Sequence, residues 1–93
     1  MAILSGDIVA LNRMETTVHA VGAAVIVRHQ RKTVGFGVVS DNDDFEIEMP
    51  DDVRGEVEIV LGMHNAAPSL AMFDGNDLHV TVLYSNVNNF MAG

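Results

Sequence analysis

The alternation of apolar and polar residues in short segments is the feature of this sequence that most restricts its fold. A period of two is typical of β-strands that turn one face toward a core, whereas a helix repeats its apolar residues every three or four positions. The segments are rich in Val and Ile and are divided by Gly, Asp, Asn and Pro, which form turns. The predicted strands are Asp7–Leu11, Thr17–Val21, Ala23–His29, Thr33–Ser40, Phe45–Met49, Glu56–Leu61 and Leu78–Ser85.

Short strands of this kind in a chain of 93 residues predict an all-β fold, a small antiparallel β-sandwich or barrel of about seven strands with one core. A single domain is expected to span residues 1–93. The strands leave an apolar N-terminal arm at residues 1–6 and a C-terminal tail at residues 86–93. Such ends either fray or latch onto neighbouring subunits, and the sequence does not choose between the two.

The connection Met63–Asp77 is a long segment without strand alternation. Loops of this length are uncommon in compact domains and are often functional. The connection contains Leu70, Met72 and Phe73, which are unusual in a solvated loop. We expect at most one short helical turn, after Pro68, which caps an open end of the sandwich; the alternative is a loop that docks on a partner.

The balance of charge excludes several classes of partner. The chain has 13 acidic against 5 basic residues and a formal net charge of -8, so it repels nucleic-acid backbones and anionic membranes. Aromatic residues make up only 5%, which is too few for a base-stacking surface. The predicted partner is therefore protein, in a homo-oligomer or a larger protein assembly, with no nucleic acid and no membrane.

The location of the protein is predicted from its first residues and its apolar runs. The sequence begins MAILSGDIVAL, which lacks the basic region of a signal peptide, and no apolar run approaches the ~18 residues that cross a bilayer. We therefore expect a soluble protein made in the cytoplasm, with a virion as one place where it can reside. No cysteine is present, so disulfides do not stabilise the fold.

Two predicted turns set the register of three neighbouring strands. The turns are Gln30–Lys32 and Asp41–Asp44, and each brings apolar residues opposite apolar residues on one face. The opposed residues are Ala24 with Val38, Ile26 with Phe36, Phe36 with Met49, and Val38 with Ile47. The predicted core face consists of Phe36, Val38, Phe45, Ile47 and Met49.

The opposite face of the same strands is also apolar. The register places Val25, Val27 and Val39 there, beside Gly35 and Gly37, where a solvent-facing sheet normally carries Thr, Lys or Glu. We therefore expect another segment or another subunit to cover this face, unless a β-bulge at one of the glycines turns the valines inward. The predicted interface residues, which include positions in the long connection and the tail, are Val25, Val27, Val39, Leu70, Met72, Phe73, Phe90 and Met91.

Four glutamates alternate on two successive predicted strands, Glu46 and Glu48 on one and Glu56 and Glu58 on the next. If these strands form a hairpin across the Pro50–Arg54 loop, all four side chains share its outer face. Like charges opposite each other destabilise a sheet unless water or a cation screens them. The prediction is an acidic face that is either solvated or bound by a basic partner.

The acidic turn around Asp43 is the candidate for calcium binding. Asp41, Asp43 and Asp44 offer hard oxygen ligands, but the turn lacks the central glycine and the final glutamate of an EF-hand loop. Asp and Asn are also common turn residues. The four histidines are dispersed, without the spacing of a zinc or iron site, so no metal site and no cofactor is predicted.

No motif for catalysis stands in the sequence. There is no cysteine and no Gly-x-Ser-x-Gly elbow, and the fragment Gly35-Phe36-Gly37 lacks the third glycine of a phosphate-binding loop. No catalytic residue is therefore predicted. A Ser–His–Asp set that only the fold brings together is not visible in a sequence.

Three stretches within residues 22–61 form a recurring pattern: GAAVIV at 22–27, VSD at 39–41 and DDFEIEMP at 43–50. The pattern resembles the transthyretin-like or carboxypeptidase-regulatory-like β-sandwich modules, with Asp44 where that family usually has glycine. The resemblance implies a β-sandwich without catalytic residues. It also implies a role as an appended, adhesive or assembly module.

These observations together favour a non-enzymatic structural or assembly module that self-associates or docks on a larger assembly. An accessory protein that decorates a virus or phage capsid is one concrete form. The alternative is a β-sandwich module that binds carbohydrate or calcium through the Asp41–Asp44 turn and the Asp74–Asp77 segment. A small enzyme subunit that uses His64 and His79 near acidic residues is the third hypothesis.

Overall fold

The computed structural model describes residues 1–62, 67–85 and 87. Those residues contain strands and turns and no helix, which confirms the predicted all-β class. No helix in these ranges is therefore long and apolar enough to cross a bilayer. The strands are β1 (Ala2–Leu11), β2 (Thr17–Val18), β3 (Ala24–His29), β4 (Lys32–Val38), β5 (Asp44–Met49), β6 (Gly55–Leu61), β7 (Ser69–Phe73) and β8 (Leu78–Tyr84).

One sheet, which we call sheet A, is built around β1. This strand pairs in parallel with β8 along one edge and antiparallel with β5 and then β2 along the other. The predicted N-terminal arm at residues 1–6 is therefore wrong, because Ala2–Asp7 pair with β5 and Leu4 is fully buried. The start of strand β1 was missed because Ala2–Leu4 are apolar in succession, so no period of two is visible in them.

The second sheet, sheet B, is antiparallel with the strand order β4-β3-β6-β7. Strand β7 lies where the sequence predicts a loop with at most a helical turn, and that prediction is wrong. In β7 the side chains of Leu70 and Met72 point outward while Ala71 and Phe73 point toward the core. Because both faces of this short strand are apolar, its alternation is not visible in the sequence.

The core lies between the two sheets and is formed by alternate residues of each strand. Sheet A contributes side chains of β1, β5 and β8, and sheet B contributes side chains of β3, β6 and β7. Tyr84 of β8 joins the layers, because its hydroxyl donates to the Ile59 carbonyl of β6 over 2.7 Å. The largest fully buried side chains are Tyr84, Phe73, Leu4, Ile47, Met49, Ile59, Leu61, Val25, Val27, Val57 and Val87.

The predicted register of β3 and β4 is confirmed, but the assignment of their two faces is wrong. Ala24 pairs with Val38 and Ile26 with Phe36, as predicted. However, β4 does not pair with β5. The turn at residues 41–44 instead carries the chain from sheet B to sheet A, where β5 pairs with β1. The glycine face of β4 therefore turns toward the core and the face with Phe36 and Val38 turns outward.

The glycines of β4 explain this choice of face. A Cβ on Gly35 would lie 2.6 Å from Cγ2 of Ile47, and a Cβ on Gly37 would lie 3.0 Å from Cγ1 of the same residue. Ile47 of β5 thus occupies the space in which side chains of β4 would otherwise stand. A shift of register between Val27 and Arg28 lies next to Gly35, so a bulge does occur in this hairpin.

The valines predicted to form an interface are part of the core of their own chain. Val25 and Val27 have no exposed surface and Val39 is almost fully buried. Of the two covers expected for this face, a segment of the same chain is the one present, because sheet A covers the valines, and their assignment to an interface is wrong. Within the predicted C-terminal tail the structure describes only Val87, which is buried and whose N–H donates to the carbonyl of Leu11 over 2.9 Å.

Candidate functional site: the outer face of sheet B

Large apolar side chains are exposed on both edge strands of sheet B. On β4, Phe36 is 62% exposed and Val38 is 54% exposed. On β7, Leu70 is 61% exposed and Met72 is 70% exposed. All four point away from the core, so they lie on one surface of the molecule.

Half-buried apolar residues of the two inner strands extend the apolar surface from β4 as far as β6, whereas the β6 residues directly opposite Leu70 and Met72 are Glu58 and Glu56. Val60 of β6 pairs with Ile26 of β3, which in turn pairs with Phe36 of β4, so one apolar row crosses three strands. Beside this row Ala24 pairs with Val38 and also contacts Gly62. We call this surface the apolar face; it consists of Ala24, Ile26, Phe36, Val38, Val60, Leu70 and Met72.

Charges of both signs lie beside the apolar face and, on β6, between its β3 and β7 residues. Arg28 of β3 pairs with Glu58 of β6, and Glu56 pairs with Met72 of β7. The nearby turn between β3 and β4 adds Arg31 and Lys32, so this end of sheet B holds three of the 5 basic residues of the chain. The surroundings of the apolar face are therefore close to electrically neutral, in contrast to the strongly acidic chain as a whole.

The four glutamates predicted to share one acidic face lie on different sheets. Glu46 and Glu48 are on β5 in sheet A, whereas Glu56 and Glu58 are on β6 in sheet B. The prediction of a common face is wrong because β5 pairs with β1 and not with β6. The outer face of sheet A nevertheless is acidic, since Asp7 of β1 is exposed on it together with Glu46 and Glu48.

A serine, a histidine and an aspartate meet on this outer face of sheet A. The Ser5 hydroxyl lies 3.0 Å from Nδ1 of His79, and Nε2 of His79 lies 3.2 Å from Oδ2 of Asp7. Parallel pairing of β1 with β8 brings them together across 74 positions of the sequence, which is why sequence reasoning missed them. With Nε2–H donating to Asp7, Nδ1 accepts the hydroxyl proton of Ser5, which is the polarity that activates a nucleophile.

The surroundings of this trio do not favour catalysis. The side chains of His79 and Asp7 are 60% and 58% exposed, so water screens their electrostatic interaction. Ser5 also pairs with Glu46 across β1 and β5, and a carboxylate beside the hydroxyl disfavours a developing oxyanion. The trio is therefore best described as a hydrogen-bonded group that links two neighbouring strands. His64, the other histidine of the enzyme hypothesis, lies outside the described residues.

The acidic turn proposed for calcium uses its carboxylates to hold the protein chain. Asp43 accepts the N–H of Ala20 at Oδ1 over 3.0 Å, and its Oδ2 lies 2.8 Å from Nδ1 of His19. Asp44 accepts a hydrogen bond from the Ser40 hydroxyl. Among the residues that the structure describes, no three His, Asp or Glu side chains, those of Asp41, Asp43 and Asp44 included, gather in a way that could hold a metal ion.

The turn between β7 and β8 uses its aspartates in a similar way. The backbone N–H of Asn76 donates to Asp74 over 3.0 Å and holds the pKa of the Asp74 carboxyl below its usual value. Asp77 accepts the N–H of Ile3 over 2.8 Å, which ties the turn to β1. These carboxylates thus have structural partners.

A groove of about 510 Å³ runs between the edge strands β7 and β8 at one side of the sandwich. Next to the groove residue Leu83, burial raises the pKa of Tyr84 to about 12, an effect that a hydrogen bond with the Ser69 side chain partly offsets. The residues that line the groove are Ser69, Leu70, Ala71, Met72, Leu78, Val80, Thr81, Val82 and Leu83.

The residues predicted to form an interface have thus separated into three groups. Leu70 and Met72 are exposed, whereas Phe73 is buried because it is an inward-facing residue of β7. Phe90 and Met91 lie outside the described residues. The exposure of Phe36 and Val38 was not predicted from the sequence. The pattern that indicates it is Gly35-Phe36-Gly37-Val38, because a face formed by glycines leaves room for an opposing sheet.

Comparison of the chain with protein-family models, with curated proteins and with solved structures finds no significant match in any of the three.

Proposed function

We propose that this chain is a non-enzymatic structural module that associates with itself, or docks on a larger protein assembly, through the apolar face. The observation that carries the proposal is the exposure of Phe36, Val38, Leu70 and Met72 on a single sheet surface. Single exposed apolar residues are normal on protein surfaces, but a contiguous apolar area of several strands is typical of an interaction site. The proposal therefore rests on these exposed residues and not on Val25, Val27 and Val39, which are buried in the core.

The size of the apolar face sets the expected strength of association. With about 3.3 Å per residue and about 4.8 Å between strands, one face of this four-stranded sheet covers on the order of 400 Å². A stable interface commonly buries about 800 Å² per partner. Association through this face alone is therefore weak and reversible, and a tighter complex would need contacts beyond it.

The charge distribution favours this face for contact between two copies. Two chains that each carry a net charge of -8 repel each other. Arg28, Arg31 and Lys32 border the apolar face, whereas the outer face of sheet A is acidic. Two copies consequently meet the least repulsion when their sheets B face each other.

The decoration of a virus or phage capsid is one form that such a module takes. This chain offers a single small domain and an exposed apolar surface for such attachment. The resemblance of residues 22–61 to transthyretin-like modules stays a prediction, and it agrees with an adhesive or assembly role.

Substitution of Phe36 by lysine tests the proposal. Analytical ultracentrifugation of the wild type over a range of concentrations is expected to show reversible self-association, and Phe36→Lys is expected to remain monomeric. The matched control is Val9→Lys, which changes the charge equally on the exposed outer face of sheet A. A wild-type chain that stays monomeric at its highest attainable concentration, or equal association of the two variants, would contradict self-association through this face.

A further inference from the structure

Two unpaired strand edges face each other at one side of the sandwich. Within the described residues, β7 pairs with β6 alone and β8 pairs with β1 alone, so each strand has one edge of free N–H and C=O groups. The groove of about 510 Å³ lies between these two edges. An extended segment that enters it can form backbone hydrogen bonds as an additional strand.

Most side chains that line this groove are apolar, beside Ser69 and Thr81, and several of them pack against the core. Leu78 and Val80 of β8 and Ala71 of β7 point inward but are only half-buried, because no strand among residues 1–62, 67–85 and 87 covers them at this side. Leu70 and Leu83 stand exposed at the rim. A strand with apolar residues at alternate positions would bury the inward-pointing set under its apolar face.

The edge strands of the groove lack the charges that normally prevent strand addition. Lysines and other charged side chains on edge strands discourage pairing with other chains. Strand β5, an edge of sheet A, carries Asp44, Glu46 and Glu48, and β4, an edge of sheet B, carries Lys32. Strand β7 has no charged residue, and the sole titratable side chain of β8 besides Tyr84 is His79.

The charges around the groove select the kind of segment that fits. Glu56 and Glu58 lie on β6 next to β7, Asp7 lies on β1 opposite Thr81, and Asp74 begins the turn that closes one end. None of the strands β1, β6, β7 and β8 contains Lys or Arg.

One basic side chain does lie near the turn that closes the groove. The Arg54 guanidinium lies beside Gly75, and it donates to the carbonyls of Asp51 and Val53. The groove is thus rimmed mainly by negative charge, which repels a second copy of this acidic chain and attracts a cationic segment.

From these observations we infer that the groove between β7 and β8 binds an extended basic segment of another protein by strand addition. The segment carries apolar residues at alternate positions and lysine or arginine between them. The inference names a partner for the docking role proposed above and rests on that role. The groove shares Leu70 and Met72 with the apolar face, but it lies at the edge of sheet B opposite Phe36 and Val38, so variants at Phe36 and at β8 test the two proposals separately.

Two synthetic peptides of equal length test the inference, one with alternating Val and Lys and one with alternating Val and Glu. The Val–Lys peptide is expected to bind, to slow amide exchange in β7 and β8, and to bind more weakly as salt is added. The Val–Glu peptide is expected to bind at least about tenfold more weakly. Equal affinity of the two peptides, or protection confined to β3 and β4, would overturn the inference.

Variants of the full chain identify the surface that the peptide uses. Leu83→Lys and Thr81→Lys each place a cation at the groove, and each is expected to lower the affinity for the Val–Lys peptide about tenfold. Phe36→Lys, on the opposite edge of sheet B, is the matched control and is expected to bind the peptide as the wild type does. Normal peptide binding by both groove variants would overturn the inference. In that case, a loss of self-association in Phe36→Lys alone would still support self-association through the apolar face.

Discussion

Gly35 and Gly37 determine at the level of single residues which face of β4 is buried. Their missing side chains leave space for Ile47, and this lets the two sheets approach closely at β4 and β5. A larger residue at either position would force Ile47 to move or would separate the sheets. The exposure of Phe36 and Val38, and with it the apolar face, follows from these two glycines.

Replacement of Gly35 by alanine is expected to lower the free energy of unfolding by about 1–3 kcal/mol, because its Cβ would overlap Ile47. Denaturant unfolding measures the loss. Ile47→Ala removes the opposing Cγ2 and itself costs about 2–5 kcal/mol, so the double variant should lose less than the sum of the single variants. Val38→Ala on the exposed face is the control, and an effect of Val38→Ala as large as that of Gly35→Ala would contradict the assigned faces.

Tyr84 makes stability depend on alkaline pH. Burial raises its pKa from 10.0 to about 12, so the folded state favours the protonated phenol. The stabilisation from the protonated phenol is fully present below pH 10. It is lost as the pH rises from 10 to 12, and the total loss is about 2–3 kcal/mol of unfolding free energy. Phenolate absorbance reports this residue alone, since the chain has 1 tyrosine.

The variant Tyr84→Phe supplies the control for this pH dependence. It removes the donor to the Ile59 carbonyl and is expected to cost about 1–2 kcal/mol at neutral pH. Between pH 10 and 12 its unfolding free energy should fall less than that of the wild type. Parallel pH profiles of the two proteins, or a phenol that titrates near 10 in the folded state, would show that the hydroxyl is not buried as described.

At the level of strands, local patterns in the sequence predict pairing within a hairpin but not between distant segments. The β3–β4 register was predicted correctly, because a short turn and matching apolar residues fix it. The partner of β5 was not predicted correctly, because its true partner β1 lies some forty residues earlier in the chain and no local pattern connects the two strands. The same limit hid the meeting of Ser5 with His79, and the short strand β7 was hidden because both of its faces are apolar.

Leu4 tests whether the first residues are a strand or an arm. It is fully buried in β1, so Leu4→Ala is expected to lower the free energy of unfolding by about 2–5 kcal/mol. Val9→Ala, at an exposed position of the same strand, should change stability by less than about 1 kcal/mol. Thermal and denaturant unfolding measure both effects. If residues 1–6 were an unattached arm, Leu4→Ala would change stability as little as Val9→Ala does.

The whole molecule presents two sheet faces of different character. The outer face of sheet A carries Asp7, Glu46 and Glu48 together with the exposed pair Val9 and Leu83, whereas that of sheet B is mainly apolar with charged residues at one end. The groove between β7 and β8 adds a third surface, rimmed mainly by negative charge. A molecule of this kind can meet a second copy through one surface and a basic segment through another.

The central position of β1 in sheet A also has a consequence for biosynthesis. The ribosome releases β1 before its neighbours β5 and β8, and β8 follows only after six other strands have been made. A nascent chain therefore holds one edge of this strand unpaired until β8 has been made, and sheet A closes only after the other strands have emerged.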